Sequence, residues 1–134
     1  MWVKVINEIE KQIVNLTPHP IVILVEDGTE IEIPPSGVQL RAKEEAKEIG
    51  AITLGKHQER QIRVFQVSFG APEPHWSELP NWDDESAIYI VSAVAAQAIR
   101  AHWPDDVRRR FYLTYLAERD AQGRIRGAKA LASI

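Results

Sequence analysis

The sequence predicts an α+β domain: a mainly antiparallel β-sheet or small barrel with one short α-helix, residues 93–103, near the C-terminus. Three observations predict it. Short β-branched or alternating apolar stretches recur along the chain, each bounded by Pro, Gly or Asp turn signals. A single stretch, residues 93–103, is dense in strong helix formers and is closed by Pro104. The 134 residues suit one domain, residues 1–134, and 45% hydrophobic content is enough for a core, which argues against disorder.

Residues 1–11 fit a helical face through Trp2, Val3, Ile6 and Ile9, or a short strand, and are read as an N-terminal extension packed on the body. Ile13, Val14 and Leu16 form a strand, broken by Thr17-Pro18-His19-Pro20, where two prolines remove two donors. The β-branched run at 21–25, the Asp27-Gly28 turn and the alternating residues 29–33 make a hairpin. Pro34-Pro35-Ser36-Gly37 ends it. Residues 38–42 alternate Val38, Leu40 and Ala42 against Gln39 and Arg41, the pattern of another strand. The charged residues 43–50 fit a helical turn or a solvated strand edge, and the strand edge is the favoured reading. Residues 52–54 and 61–69 read as a second hairpin, with Ile62 and Val64 on one face and Arg63, Phe65, Val67 and Phe69 on the other.

Residues 70–86 form a long irregular loop with Pro72, Pro74, Pro80, Trp76 and Trp82. Loops of this length in compact domains are functional or disordered, and two tryptophans argue against disorder. The loop is therefore expected to fold onto the body or a partner chain. Ala87 to Val91 is the best central strand, Ser92 a natural N-cap, and residues 93–103 the helix. Residues 111–117, a turn at 120–123 and residues 125–134 close the chain as a hairpin.

Composition narrows the function classes. The chain has no cysteine, which removes disulfides, thiolate nucleophiles and cysteine-bound metals. No basic head precedes a long apolar run, and no stretch approaches the ~18 apolar residues of a membrane span. These features point to a cytoplasmic domain. Net charge is −3, and the one dense basic run, Arg108-Arg109-Arg110, follows Asp105 and Asp106. General nucleic-acid binding is disfavoured, while a few arginines remain able to hold a small anion.

The candidate ligand-binding residues are Asn15, Thr17, His19, Arg41 and Ser92. Asn15, Thr17 and His19 alternate, so an extended backbone puts them on one face, and the prolines stiffen it. These residue types also form turns for purely structural reasons, and that reading carries the larger weight. Ser92 begins a helix, where free N–H groups favour an anion, although simple capping is the more common role. The flanking residues lack the glycines of a phosphate loop or a nucleophile elbow. Arg41 and other single arginines would clamp a phosphate or carboxylate if two converged at the helix start. His19, His57, His75 and His102 lack metal-ligand spacing, so no metal and no cofactor is expected.

Taken together, the string Asn15-Leu16-Thr17-Pro18-His19-Pro20, the Pro35-Ser36-Gly37 turn, Arg41, the Tyr-Ile-Val-Ser strand–helix junction at 89–92 and the Asp120 to Gly127 hairpin resemble a family of small uncharacterised bacterial and phage proteins. The resemblance covers most of residues 13–132. It implies no assigned activity and no catalytic residues. It departs from the family pattern in the N-terminal extension, the longer tryptophan loop and residues 108–115. By analogy, its phage context implies proteins that bind host factors or sequester signalling nucleotides.

The sequence thus supports three functional expectations. The leading one is a non-enzymatic binding protein, a homo-oligomer, for a small anionic or nucleotide-like ligand. The second is a small hydrolase with His19 as base and Asp106 as its orienting partner, which requires the two within ~2.6–3.2 Å. The third is an interaction module that assembles through the loop carrying Trp76 and Trp82, since Trp is enriched at interfaces.

Overall fold

The apolar alternation read in the sequence becomes a sheet that curls nearly into a barrel. The computed structural model describes residues 2–4, 10–56 and 60–134, with residues 2–4, 10 and 11 described by backbone alone. The strands are β1 (Trp2–Lys4), β2 (Glu10–Asn15), β3 (Ile21–Leu24), β4 (Glu30–Ile33), β5 (Glu44–Thr53), β6 (Gln61–Phe69), β7 (Ala87–Ile90), β8 (Phe111–Arg119) and β9 (Ile125–Ser133). Two helices, α1 (Ala93–His102) and α2 (Asp105–Arg108), lie between β7 and β8, and a one-turn 3-10 helix spans Trp76–Glu78.

Seven strands join in the order β1-β2-β7-β8-β9-β3-β4. Hairpin neighbours β3–β4 and β8–β9 pair antiparallel, as their short turns dictate. Their turns are the expected ones: Gly28 takes φ 88°, and the Asp27 carboxylate accepts from the Thr29 N–H. Three junctions are parallel: β2–β7, β7–β8 and β3–β9. The ring closes at Asn15, which bridges Pro35 and whose carbonyl accepts from the Ser36 N–H at 3.0 Å.

Alternation along β7 divides the core. Ile88 and Ile90 face the barrel interior with Ile13 and Ile33, and with half-buried Ile21, Ile23, Ile31 and Leu131. Ala87 and Tyr89 face outward into a second cluster with Val14, Leu16, Phe111, Val107, Trp103 and the buried side of α1. That side is Ala95, Ala96, Ala98 and Ile99, so small residues bring the helix close to the sheet. Ser92 caps its start by accepting from the Ala95 N–H, and the chain leaves it before Pro104.

The α+β class and the helix are as read from sequence, with α1 ending one residue early. Three details differ. Residues 38–42 form no strand: Leu40 turns into the outer cluster, and the segment's backbone-to-backbone bonds are those from Leu40 to Leu16 and of the Arg41–Glu73 bridge. The charged residues 44–50 are strand, as read, but they run on into residues 51–53 as β5, whose partner β6 runs nine residues, so the second hairpin is longer than its apolar pattern indicated. The single turn α2 follows Pro104 and is held by burial of Val107. Residues 5–9 and the loop around His57 lie outside the described residues. Among the described residues no helix is long and apolar enough to cross a membrane.

Candidate functional site

The Asn15 motif is built as a latch. Asn15 is 1% exposed, and all four hydrogen-bonding positions of its amide are used. Its Nδ2 donates to the His19 carbonyl at 2.8 Å and to the buried Ile33 carbonyl at 3.1 Å. Its Oδ1 accepts from the Thr17 N–H at 2.9 Å and the Thr17 hydroxyl at 2.7 Å. The Thr17 hydroxyl also reaches the His19 carbonyl. The prolines at 18 and 20 cannot donate, so Asn15 and Thr17 supply the donors this turn needs. The polar triplet therefore ties β2 to the end of β4, and the His19 ring points away, exposed.

The other candidates from sequence gather near this latch. Leu16 donates its N–H to the Ile90 carbonyl, and Leu40 donates to the Leu16 carbonyl. Thr17, Arg41 and Ser92 thus follow three backbone segments lying side by side, beyond the C-terminal ends of β2 and β7. Proximity does not make a concerted site of them. The Arg41 guanidinium donates to Gln39 at 2.6 Å, Ser92 caps α1, and Asn15 and Thr17 are engaged in the turn. Asp106 sits elsewhere. It precedes β8, and because β2, β7 and β8 run parallel with Asn15, Ile90 and Tyr112 level, His19 and Asp106 lie beyond opposite strand ends. No hydrogen bond joins them among the described residues. The base–orienter pair that a hydrolase reading needs is not assembled.

At that opposite end is a cleft of about 680 Å³, lined by Trp76, Trp82, Glu85, Ser86, Ile88, Asp106, Val107, Arg109, Arg110 and Tyr112. Its wall is the long loop, and Arg110 holds it there. Arg110 donates to the carbonyls of Ala87 (3.1 Å), Trp82 (2.9 Å) and Asp84 (2.8 Å). Its guanidinium lies 3.9 Å from the centre of the Trp82 ring, a cation–π contact. The Tyr89 hydroxyl donates to the Pro80 carbonyl at 2.6 Å. Burial pushes the Tyr89 phenol up to about 12, with Arg110 pulling the other way.

The long loop folds onto its own body. Trp76 meets Trp103 edge-on at 5.3 Å, and Trp82 lies against Tyr89 (5.8 Å) and Phe111 (6.2 Å). Both tryptophans are half-buried against the chain's own body. The basic run is likewise divided: Arg108 pairs with Asp105, Arg110 is the clamp, and Arg109 is exposed with no side-chain partner among the described residues.

Two of the histidines have structural roles. His75 caps the 3-10 turn, with its Nδ1 2.8 Å from the Ser77 hydroxyl, and His102 bonds the Phe69 carbonyl at 2.8 Å. Among the described residues no cluster of His, Asp and Glu is arranged to hold a metal ion.

No family model matches this chain, and neither the curated proteins nor the solved structures include a match.

Proposed function

We propose that the domain is a binding protein for a small, ring-bearing anion of nucleotide type, taken up in the cleft between Trp76, Arg109 and Tyr112. The observation that carries this reading is the cleft lining. Its volume, about 680 Å³, lies within the ~300–1,000 Å³ of small-molecule sites. Trp76 and Tyr112 offer aromatic surface for a base, and base–aromatic stacking is worth ~1–3 kcal/mol. Arg109 offers an unpaired cation for a phosphate. Glu85 and Asp106 accept from ribose hydroxyls or an exocyclic amine. One free arginine, Arg109, beside two carboxylates favours a ligand that carries several donors as well as negative charge, which describes a nucleotide better than a simple anion.

Arg110 is excluded from ligand contact in this reading because its donors hold the wall. The resemblance to phage proteins supports a cytoplasmic setting and, by analogy, sequestration of a signalling nucleotide. Calorimetry against linear and cyclic nucleotides tests the proposal. The expected result is binding by at least one of them, with quenched tryptophan fluorescence, weakened at least ~10-fold by Arg109→Ala. No heat from any nucleotide at ~1 mM, or affinity indifferent to Arg109→Ala, overturns it.

A further inference from the structure

Four charged side chains line the cleft: Glu85, Asp106, Arg109 and Arg110. They come from two walls. Glu85 sits in the loop wall, in a turn that is fixed on both sides. The Asp84 carboxylate accepts from the Ser86 N–H at 2.9 Å and the Ser86 hydroxyl at 2.6 Å, and the Asp84 carbonyl accepts from the Ala87 N–H at 3.0 Å. Asp106 lies on α2 and Arg109 at its C-terminal cap, on the facing wall. Glu85, Asp106 and Arg109 are exposed, and none has a side-chain partner among the described residues. Arg110 differs: its Nε, Nη1 and Nη2 each donate to a backbone carbonyl. Its charge remains, but its donors face the wall, so Arg109 alone is free to fork onto a phosphate. The four charges cancel, and Asp83 and Asp84, which precede Glu85, tip the loop wall negative. One negative charge on a ligand is met by Arg109. A second meets carboxylates on both walls with no free cation to offset them.

Resting on the nucleotide reading above, we propose that the cleft selects its ligand by charge. It takes a nucleotide whose phosphate is a diester with a single negative charge, and it rejects terminal phosphates and polyphosphates. A phosphodiester carries one charge, whereas a terminal phosphate carries about 1.5–2 near neutral pH and a triphosphate more still. The diester also leaves the base amine and a sugar hydroxyl as donors for Glu85 and Asp106. The same carboxylates thus accept from the right ligand and repel the wrong one, which is how a site discriminates between partners that share most of their atoms. Two sources present this group: a 3′,5′-cyclic mononucleotide and a linear dinucleoside monophosphate.

Calorimetry on the full chain, in ~0.15 M salt without magnesium, tests this. For each common base the ligands are the cyclic monophosphate, the dinucleoside monophosphate, the 5′-monophosphate and the 5′-triphosphate. At least one diester is expected to bind ~10-fold or more tighter than the triphosphate of the same base, with the 5′-monophosphate between them. Whichever diester binds tighter identifies the source. Glu85→Gln combined with Asp106→Asn keeps the acceptors and removes both charges, and is expected to narrow that gap to less than ~3-fold. Near-ultraviolet circular dichroism checks that the variant keeps its fold. If the pair disturbs that spectrum, the single substitutions decide, each narrowing the gap at least ~2-fold. A triphosphate that binds as tightly as the diesters, or a gap that the substitutions leave unchanged, overturns charge selection and leaves the nucleotide reading standing. Binding by no nucleotide overturns both.

Discussion

Replacing Asn15 by alanine tests whether the most distinctive motif in the chain is structural. The substitution removes four hydrogen bonds at a residue that is 1% exposed. The largest loss falls on the Ile33 carbonyl, which sits on a buried residue and would be left without this donor. Stranding such a group costs about 1–3 kcal/mol. The His19 carbonyl and the Thr17 donors are nearer solvent, and losing their bonds adds about 0.5 kcal/mol each. The expected total is ~3 kcal/mol, and at about 3–5 °C per kcal/mol for a domain of this size Tm falls by roughly 10 °C. Urea unfolding with an unchanged m-value should give the same loss. Asn15→Asp should cost more near neutral pH, because a carboxylate would face the carbonyls of His19 and Ile33. His19→Ala is the internal control: only its backbone takes part, so stability should move by less than ~0.5 kcal/mol. A loss below ~1 kcal/mol for Asn15→Ala, or one equalled by His19→Ala, would refute the latch.

Other outcomes follow from the cleft wall and the sheet. Arg110→Ala should destabilise by about 2–4 kcal/mol, measured by chemical denaturation, because it removes three charge-assisted hydrogen bonds and the Trp82 contact. Arg110→Lys should recover less than half of that, since an ammonium cannot reproduce the planar fork. Gly127→Ala should cost about 1–3 kcal/mol, because a Cβ there would lie 2.9 Å from the Val22 carbonyl oxygen and 3.1 Å from the Leu24 side chain, leaving no room between β9 and β3. Tyr89 gives a pH signature. Its folded pKa, about 12, lies above the ordinary 10, so the folded state holds the proton longer. The associated stability is fully present below pH 10 and declines as pH rises from 10 to about 12. Tyr89→Phe should abolish that decline, and a tyrosinate absorbance titration should show one phenol ionising late.

Several features were legible because their cause is local. The Asp27-Gly28 turn follows from residues that accept the necessary backbone angles, and α1 follows from Ser92, its alanines and Pro104. The hairpin of β8 and β9 follows from alternation around a turn. Residues 38–42 show where the rule fails. Their alternation is that of a strand, yet they serve as a connection, because Leu40 is drawn into the outer cluster and Arg41 bridges Glu73 of the long loop. Residues 44–50 form strand, as the solvated-edge reading expects, but their continuity with residues 51–53 in one ten-residue strand was not legible, because both faces lie in water and no apolar period marks it. Among the candidate residues, Asn15 and Thr17 were noticed for their polarity, but their partners are backbone groups that no spacing discloses. Arg110 was masked by its neighbours in a basic run, and its three acceptors lie 23 to 28 residues earlier in the chain.

The sequence by itself determined the class, the helix with its cap, and the hairpin turns, since each depends on residues a few positions apart. Tertiary structure alone decided the parallel joining of β2, β7 and β8, the closing of the barrel at Asn15, and the fastening of the tryptophan loop by Arg110 and Tyr89. The reason is physical. A side-chain period states which face must be buried and not what buries it; that choice is made among segments up to 69 residues apart, such as Gln12 and Asn81, by whichever pairing satisfies the most backbone and apolar surface at once.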